Sequence, residues 1–562
     1  MLTTPSSVLR AAERLKTTFG GDAAGRKLEL LRRLQRARVP RTSEVLRLHE
    51  LACFWQAYPE NEAILAEVDR LLGSFDRRRD LRHHARRLSD SGIAGTEIRF
   101  RFFAPTAQWL AERWPHRLTI DWRDFENRDR LEPLLPLLAH FAVSPALDEY
   151  EAPTREWIER MKGPHESDAA FLIRRFATLG VDPFVREALW DELDVPIRLQ
   201  PAGTTPSRSR AKLKGQRIVW QRGPLSRARP EIPEDLLRRP RSVRAVSRRE
   251  GERLIDRARE AMITRSRDLD VFSYGDPRDV RMIDCGEGLE FACIGSLPER
   301  RLLLESVYGY LTLKNGVPIG YVLTASLFGS AEIAYNVFET FRGAEAAPIY
   351  GWVMAMTRHL FGCDTFAVVP YQLGEGNDEA IESGAWWFYH KVGFRPRDRA
   401  AARLMRRELR RVRRDPEHRS SAATLRRLAR ACVYLSLARP RPDVIGELPL
   451  AQVGFATMKA LSRRFGSDRE GAGRACGDEA RALLGVRSHA GWTTGERLAW
   501  ARWTPVILIL PGLARWSAAE RRALVRVVRA KGGRRESEFV RRFDAHAKLR
   551  RAIGSLALRT QA

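Results

Sequence analysis

The residues best suited to chemistry lie between Ile333 and Phe394. Small side chains gather at Arg342-Gly343-Ala344-Glu345-Ala346-Ala347, just ahead of an apolar run with helical spacing. Consecutive backbone N–H groups reach a phosphate only where side chains are small, and a helix N-terminus adds partial positive charge. Further on, Tyr389 stands on a second helical pattern that closes at Gly393-Phe394, a glycine also suited to ending a helix. Glu332 and Glu339 flank the apolar stretch Ile333 to Phe338, while Glu375, Asp378, Glu379 and Glu382 make an acidic patch in a basic chain. His390 adjoins Tyr389, but adjacent helix residues point in different directions, so it is no partner for it. The six cysteines (Cys53, Cys285, Cys293, Cys363, Cys432, Cys476) show no Cys-x-x-Cys pair and no nearby His, so they read as reduced core residues and no metal is expected.

Positioning these groups takes a strand, a turn, a helix, a second strand and a second helix, in that order. That order, with its motifs, resembles the GNAT-type N-acetyltransferases. Their signature at the coenzyme site is Gln/Arg-x-x-Gly-x-Gly/Ala, met here by Arg342 and Ala347 with Glu345 in place of the first glycine. Their following helix carries Asn-x-x-Ala-x-x-x-Tyr-x-x-x-Gly-Phe, met here by Ala385, Tyr389, Gly393 and Phe394 with Glu382 in place of Asn. The resemblance implies an acetyl-CoA or other acyl-CoA substrate bound by Arg342, Gly343, Ala344, Ala346 and Ala347. It also implies that Tyr389 acts as general acid for the departing thiolate. An amine acceptor must lose a proton, and strand alternation favours Glu339 over Glu332 as the base.

The departure at Glu345 has a calculable consequence. A carboxylate about 5 Å from one phosphate charge, at an effective dielectric near 20, is opposed by roughly 3 kcal/mol. A glutamate in a helix first turn returns only about 0.3–1 kcal/mol. The direction of Glu345 therefore decides whether this turn still suits a diphosphate. The leading expectation is an acyl-CoA-dependent N-acyltransferase, and the alternative is a non-catalytic GNAT-like scaffold or binding protein that associates with nucleic acid through its basic surface.

The fold class expected is α+β, a central GNAT-like mixed sheet flanked by N-terminal and C-terminal mainly helical regions. Residues 1–200 read as helices punctuated by proline, and 201–246 as a basic Pro/Ser/Arg-rich linker. A sheet domain is expected over 247–400. It opens with a helix capped by Ser247 and Glu250 and holds strands at 289–294, 307–313 and 319–327, with an Asn315-Gly316 hairpin turn. Residues 401–562 read as a basic helical region, including a helix over 422–437 and another from Ser517. Trp492, Trp500, Trp503 and Trp516 are expected in its core.

A chain of 562 residues exceeds one hydrophobic core, and its 44% apolar content is that of a globular protein. The apolar run Val506 to Leu510 is bounded by Pro505 and Pro511, far short of a membrane span. Met1-Leu2-Thr3-Thr4-Pro5 opens no leader pattern, which makes the cytoplasm the expected location. The net charge of +28 attracts polyanions, although its arginines are spread through every region.

Overall fold

The computed structural model describes residues 4–558; Met1–Thr3, where the leader reading begins, lie outside them. The architecture is α+β, with two sheets. The smaller is β1 (Ile98–Arg101), β2 (Leu118–Ile120) and β3 (Pro196–Leu199), ordered β1-β3-β2 and antiparallel throughout. These strands interrupt the region expected as helical. Each is only three or four residues long and finds its partner far away in sequence, so local periodicity does not announce them.

The larger sheet has nine strands. They are β4 (Ser242–Ala245), β5 (Gly275–Gly286), β6 (Leu289–Ser296), β7 (Ser306–Lys314), β8 (Val317–Leu327), β9 (Ser330–Val337), β10 (Thr365–Val368), β11 (Arg395–Pro396) and β12 (Val433–Ser436). From β4 to β9 each strand is antiparallel to the next. The β7–β8 turn is Asn315-Gly316 with φ of +49° and +76°, the left-handed pair that a two-residue hairpin requires. The Asn315 side chain also holds Ala57 and Val219, tying the N-terminal helices and the 201–246 segment to this hairpin. β7 is buried along nearly its whole length, so both faces of the sheet are covered there.

The direction changes once. β10 runs parallel to β9, and a parallel neighbour needs a crossover, supplied here by a helix. The helices around the site are α1 (Arg248–Ile263), α2 (Ala346–Phe361, the crossover), α3 (Asp378–Glu382), α4 (Ala385–Val392) and α5 (Arg399–Arg414). The parallel pairing covers only Ser330, Ala331 and Glu332 of β9 against Thr365, Phe366 and Ala367. Beyond Glu332, β9 continues to Val337 along β8 while β10 parts from it. β12 then fits between β10 and β11, antiparallel to both.

The large sheet thus draws β4 and β12 from outside residues 247–400. The helix expected over 422–437 ends at Ala429, and Val433–Ser436 is a strand. Its β-branched and aromatic residues suit the slot beside β10, a tertiary preference that overrides the helical pattern before it. One core joins the N-terminal helices as far as Ile93 to the sheet and to the C-terminal helices. A second core surrounds the small sheet. The expected core tryptophans Trp492, Trp500, Trp503 and Trp516 are buried in the first. Residues 201–246 lie against both neighbours through polar contacts: Ser209 bonds His49 and Ala94, and Leu213 N–H donates to Gly316.

Candidate functional site

Where β9 and β10 part, a cavity of about 300 Å³ opens. Tyr335, Asn336 and Val337 of β9 form one wall, Arg342, Gly343 and Ala346 a second, and Phe388 and Tyr389 of α4 a third. Gly343 has φ +79°, a left-handed turn that admits glycine readily, and open space where a Cβ would stand. The helix it leads into begins at Ala346, so the first-turn amides of Ala346 and Ala347 have no intrahelical acceptor. Of the five residues expected to hold coenzyme, Arg342, Gly343 and Ala346 line the cavity. Ala344 is buried in the core, and Ala347 is not part of the lining.

Glu345 does not line the cavity. Its carboxylate accepts from Lys314 Nζ at 2.8 Å, and this pair is largely buried, with side chains 16% and 6% exposed. Lys314 in turn lies 5.1 Å from the Tyr58 ring centroid. The repulsion calculated for a carboxylate facing a diphosphate therefore does not arise from Glu345. Glu382 is exposed and also outside the lining. Arg342 is ion-paired with Glu379 at the surface. Exposed pairs of this kind contribute at most about 1 kcal/mol, so an incoming anion displaces Glu379 cheaply.

Two glycines in positive-φ conformations bracket α4: Gly384 at its start and Gly393 at its end. Tyr389 is buried between them, edge-on to Tyr350 at 5.5 Å and to Phe394 at 5.9 Å. Burial pushes its hydroxyl well above the ordinary tyrosine range. Tyr389 lines the cavity. Tyr335 and Tyr350 are raised by burial too, and the Tyr350 hydroxyl is buried without a partner. A protonated phenol beside a cavity can donate to an anion formed there.

A second cavity, of about 480 Å³, adjoins the first and shares Asn336, Arg342 and Glu379 with it. Glu339 lines this one, exposed and without an ion-pair partner among the described residues. Tyr389 and Glu339 thus lie on neighbouring cavities and not on the same one. Glu332 lines neither; burial and Glu305 raise its carboxyl above the usual range. Within the acidic patch, Asp378 pairs with Arg426 at 2.9 Å and Glu379 with Arg342.

Sequence reasoning missed Asn336, whose Oδ1 is buried without a hydrogen-bond partner on the wall common to both cavities. Its one available signal was an amide in the otherwise apolar stretch Ile333 to Phe338, where Asn is disfavoured. It also missed Arg208, Arg265 and Arg267, which line the second cavity from outside Ile333 to Phe394. In a chain with arginine everywhere, those three carry no contrast.

Among the described residues, no helix is long and apolar enough to cross a membrane, and no three His, Cys, Asp or Glu side chains converge as a metal-holding group. No protein-family model, curated protein or solved structure matches the chain.

Proposed function

We propose that this protein transfers an acyl group from a coenzyme A thioester to an amine, on a sheet of the GNAT type. One observation carries the reading: the cavity at the parting of the parallel pair has an anion-suited turn, Arg342 to Ala346, and Tyr389 on its walls. The strand order supports it as well. An antiparallel meander is followed by one parallel strand across a helix, with the last strand inserted beside that strand. Small turn residues and free first-turn amides suit the coenzyme diphosphate. The pairing of Glu345 with Lys314, away from the cavity lining, removes the main objection to it.

In this reading the residues take the roles that the resemblance implies. The amine nitrogen attacks the thioester carbonyl carbon, the carbon–sulfur bond breaks, and the sulfur takes a proton from Tyr389. The raised pKa of Tyr389 keeps that proton available at neutral pH. The proton released by the amine passes to Glu339 in the adjoining cavity, directly or through a water. Asn336 Oδ1, on the shared wall, accepts an N–H from whichever substrate reaches it.

Calorimetry and thermal shift with acetyl-CoA, followed by thiol release in the presence of a panel of amines, test the reading. Saturable binding with amine-dependent release is expected. No heat and no thermal shift at millimolar acetyl-CoA sinks it.

A second reading rests on α5. Its sequence RAAARLMRRELRRVRR has a single acidic residue, Glu408, which is buried and pairs with Arg411 and His418. The remaining exposed arginines form a cationic face suited to a polyanion such as nucleic acid, and with it to a scaffold role. A mobility shift that weakens steeply with salt would favour this reading, and its absence at low salt would remove it.

A further inference from the structure

Four arginines line the cavity beside Glu339, and three are ion-paired with a carboxylate. Arg208 pairs with Glu50 at 3.1 Å, Arg342 pairs with Glu379, and Arg267 donates to the Tyr321 hydroxyl at 2.8 Å with Glu379 at 3.8 Å. Arg265 differs. Its Nη1 donates to the Ala261 carbonyl at 2.8 Å and to Thr264 Oγ1 at 3.3 Å, and its guanidinium stacks on Phe338, 3.6 Å from the ring centroid. No carboxylate lies within ion-pair distance of it among the described residues, and its other donors have no protein acceptor there. The stacking and the two bonds on one edge hold the guanidinium in a fixed plane, which leaves a pre-oriented fork on the cavity wall.

We infer that this cavity binds an amine acceptor that also carries a compact anionic group, a carboxylate or a phosphate, with Arg265 as the anion's partner. The opposite character is present on the same cavity. Glu339 offers a free carboxylate, and Asn336 Oδ1 is an acceptor with nothing to accept. One cavity thus holds an unpaired cation for an anion and two unpaired acceptors for an ammonium or amine. A volume of about 480 Å³ suits a small molecule. Burial and then the nearby Arg208 lower the pKa of Arg265, and Glu50 on the same cavity offsets this only in part. The inference rests on the proposed acyl transfer for the word acceptor, but not for the binding itself.

The test therefore measures binding by the full chain without a donor. Two matched probe pairs differ only in the anionic group: phenethylamine against phenylalanine, and ethanolamine against phosphoethanolamine. In at least one pair the anionic member is expected to bind ten times or more tighter, and the pair that responds tells carboxylate from phosphate. Arg265→Met, which keeps the stacking on Phe338, is expected to abolish that preference and leave acetyl-CoA affinity within twofold. Equal binding within both pairs, no binding by any probe, or a preference that survives in Arg265→Met overturns the inference. Should that variant not fold, acetate and inorganic phosphate serve as competitors on the wild-type protein. Displacement of the anionic probe by its own anion supports the site, and failure of both anions to displace it refutes it. Loss of acetyl-CoA binding alone, with the probe preference intact, would count against acyl transfer and not against this site.

Discussion

Two regions of this molecule are rich in buried charge and tyrosine, and they use them oppositely. Where the C-terminal helices meet β5 and β7, Asp276, Asp279 and Glu536 face Arg281, Arg301 and Lys531, all buried. Lys531 bonds Glu536 at 2.5 Å, Arg301 lies 3.8 Å from Glu536, and Arg281 lies 3.8 Å from Asp279. Tyr308 sits among them, donating to Asp279 at 2.6 Å and accepting from Ser537 N–H at 2.8 Å. At the parted strands, Tyr389 is also buried, but Asn336 Oδ1 has no hydrogen-bond partner and Arg265 has no carboxylate in ion-pair distance among the described residues. Burial raises the pKa of both tyrosines, so perturbation alone does not separate a seam from a site. Unmet hydrogen bonds do not separate them either, since Asp279 Oδ1 and Glu536 Oε2 lack partners in the seam as Asn336 Oδ1 does in the site; what separates them is the open volume beside Asn336.

The sharpest way to break this contrast is to delete a charge from each region. Glu536→Ala leaves Lys531 buried without its carboxylate and is expected to cost about 3–5 kcal/mol in urea unfolding, with acetyl-CoA affinity unchanged in the folded protein. A loss below about 1 kcal/mol would mean that the seam is not structural. The tyrosines come next. Tyr389→Phe should lower turnover at least about a hundredfold while shifting stability by less than about 1 kcal/mol. Tyr308→Phe should do the reverse, costing about 1–3 kcal/mol of stability through two orphaned partners and sparing turnover. If both variants lose only stability, Tyr389 is a packing residue and the contrast collapses.

Arg342 and Glu345 sharpen the same comparison inside one turn. Arg342→Ala removes a cation whose present partner is only a surface glutamate, so acetyl-CoA binding should weaken about tenfold at little cost in stability. Glu345→Ala orphans the buried Lys314 and should destabilise the fold without tightening acetyl-CoA by more than about twofold. A marked gain in affinity in that variant would mean that Glu345 faces the ligand after all.

Much of the scaffold is legible where the cause is local. Asn315-Gly316 can be read as a hairpin because its φ requirements are properties of two residues, and Ser247 caps α1 by accepting from Glu250 N–H three positions on. Gly393 ends α4 as helix-terminal glycines do. The site is legible only in part because its decisive features are long-range. The direction of Glu345 depends on Lys314, 31 residues earlier and across the sheet. β12 is a strand because β10 and β11 leave a slot for it. Arg208, Arg265 and Glu339 come from three separate segments to one cavity, and only folding assembles them.

The smallest effect concerns His390, which adjoins Tyr389 in sequence. It stacks on Trp386 at 5.7 Å and lines neither cavity. Burial, then Arg395, Lys391 and Arg229, push its pKa down to about 4 from the ordinary 6.5. Between those values the unfolded chain takes up a proton at this position and the folded chain does not. Stability from the neutral ring is therefore complete above pH 6.5 and is lost as the pH falls toward 4. Asp544, raised to about 6 mainly by burial, acts with the opposite sign over part of that window, so the measurement must be a difference. Subtracting His390→Phe from wild type in urea midpoints across the window should leave a difference that grows as the pH falls. Turnover at neutral pH should stay within about twofold. A turnover loss comparable with that of Tyr389→Phe would move His390 from the packing of α4, where its ring stacks on Trp386, into the site.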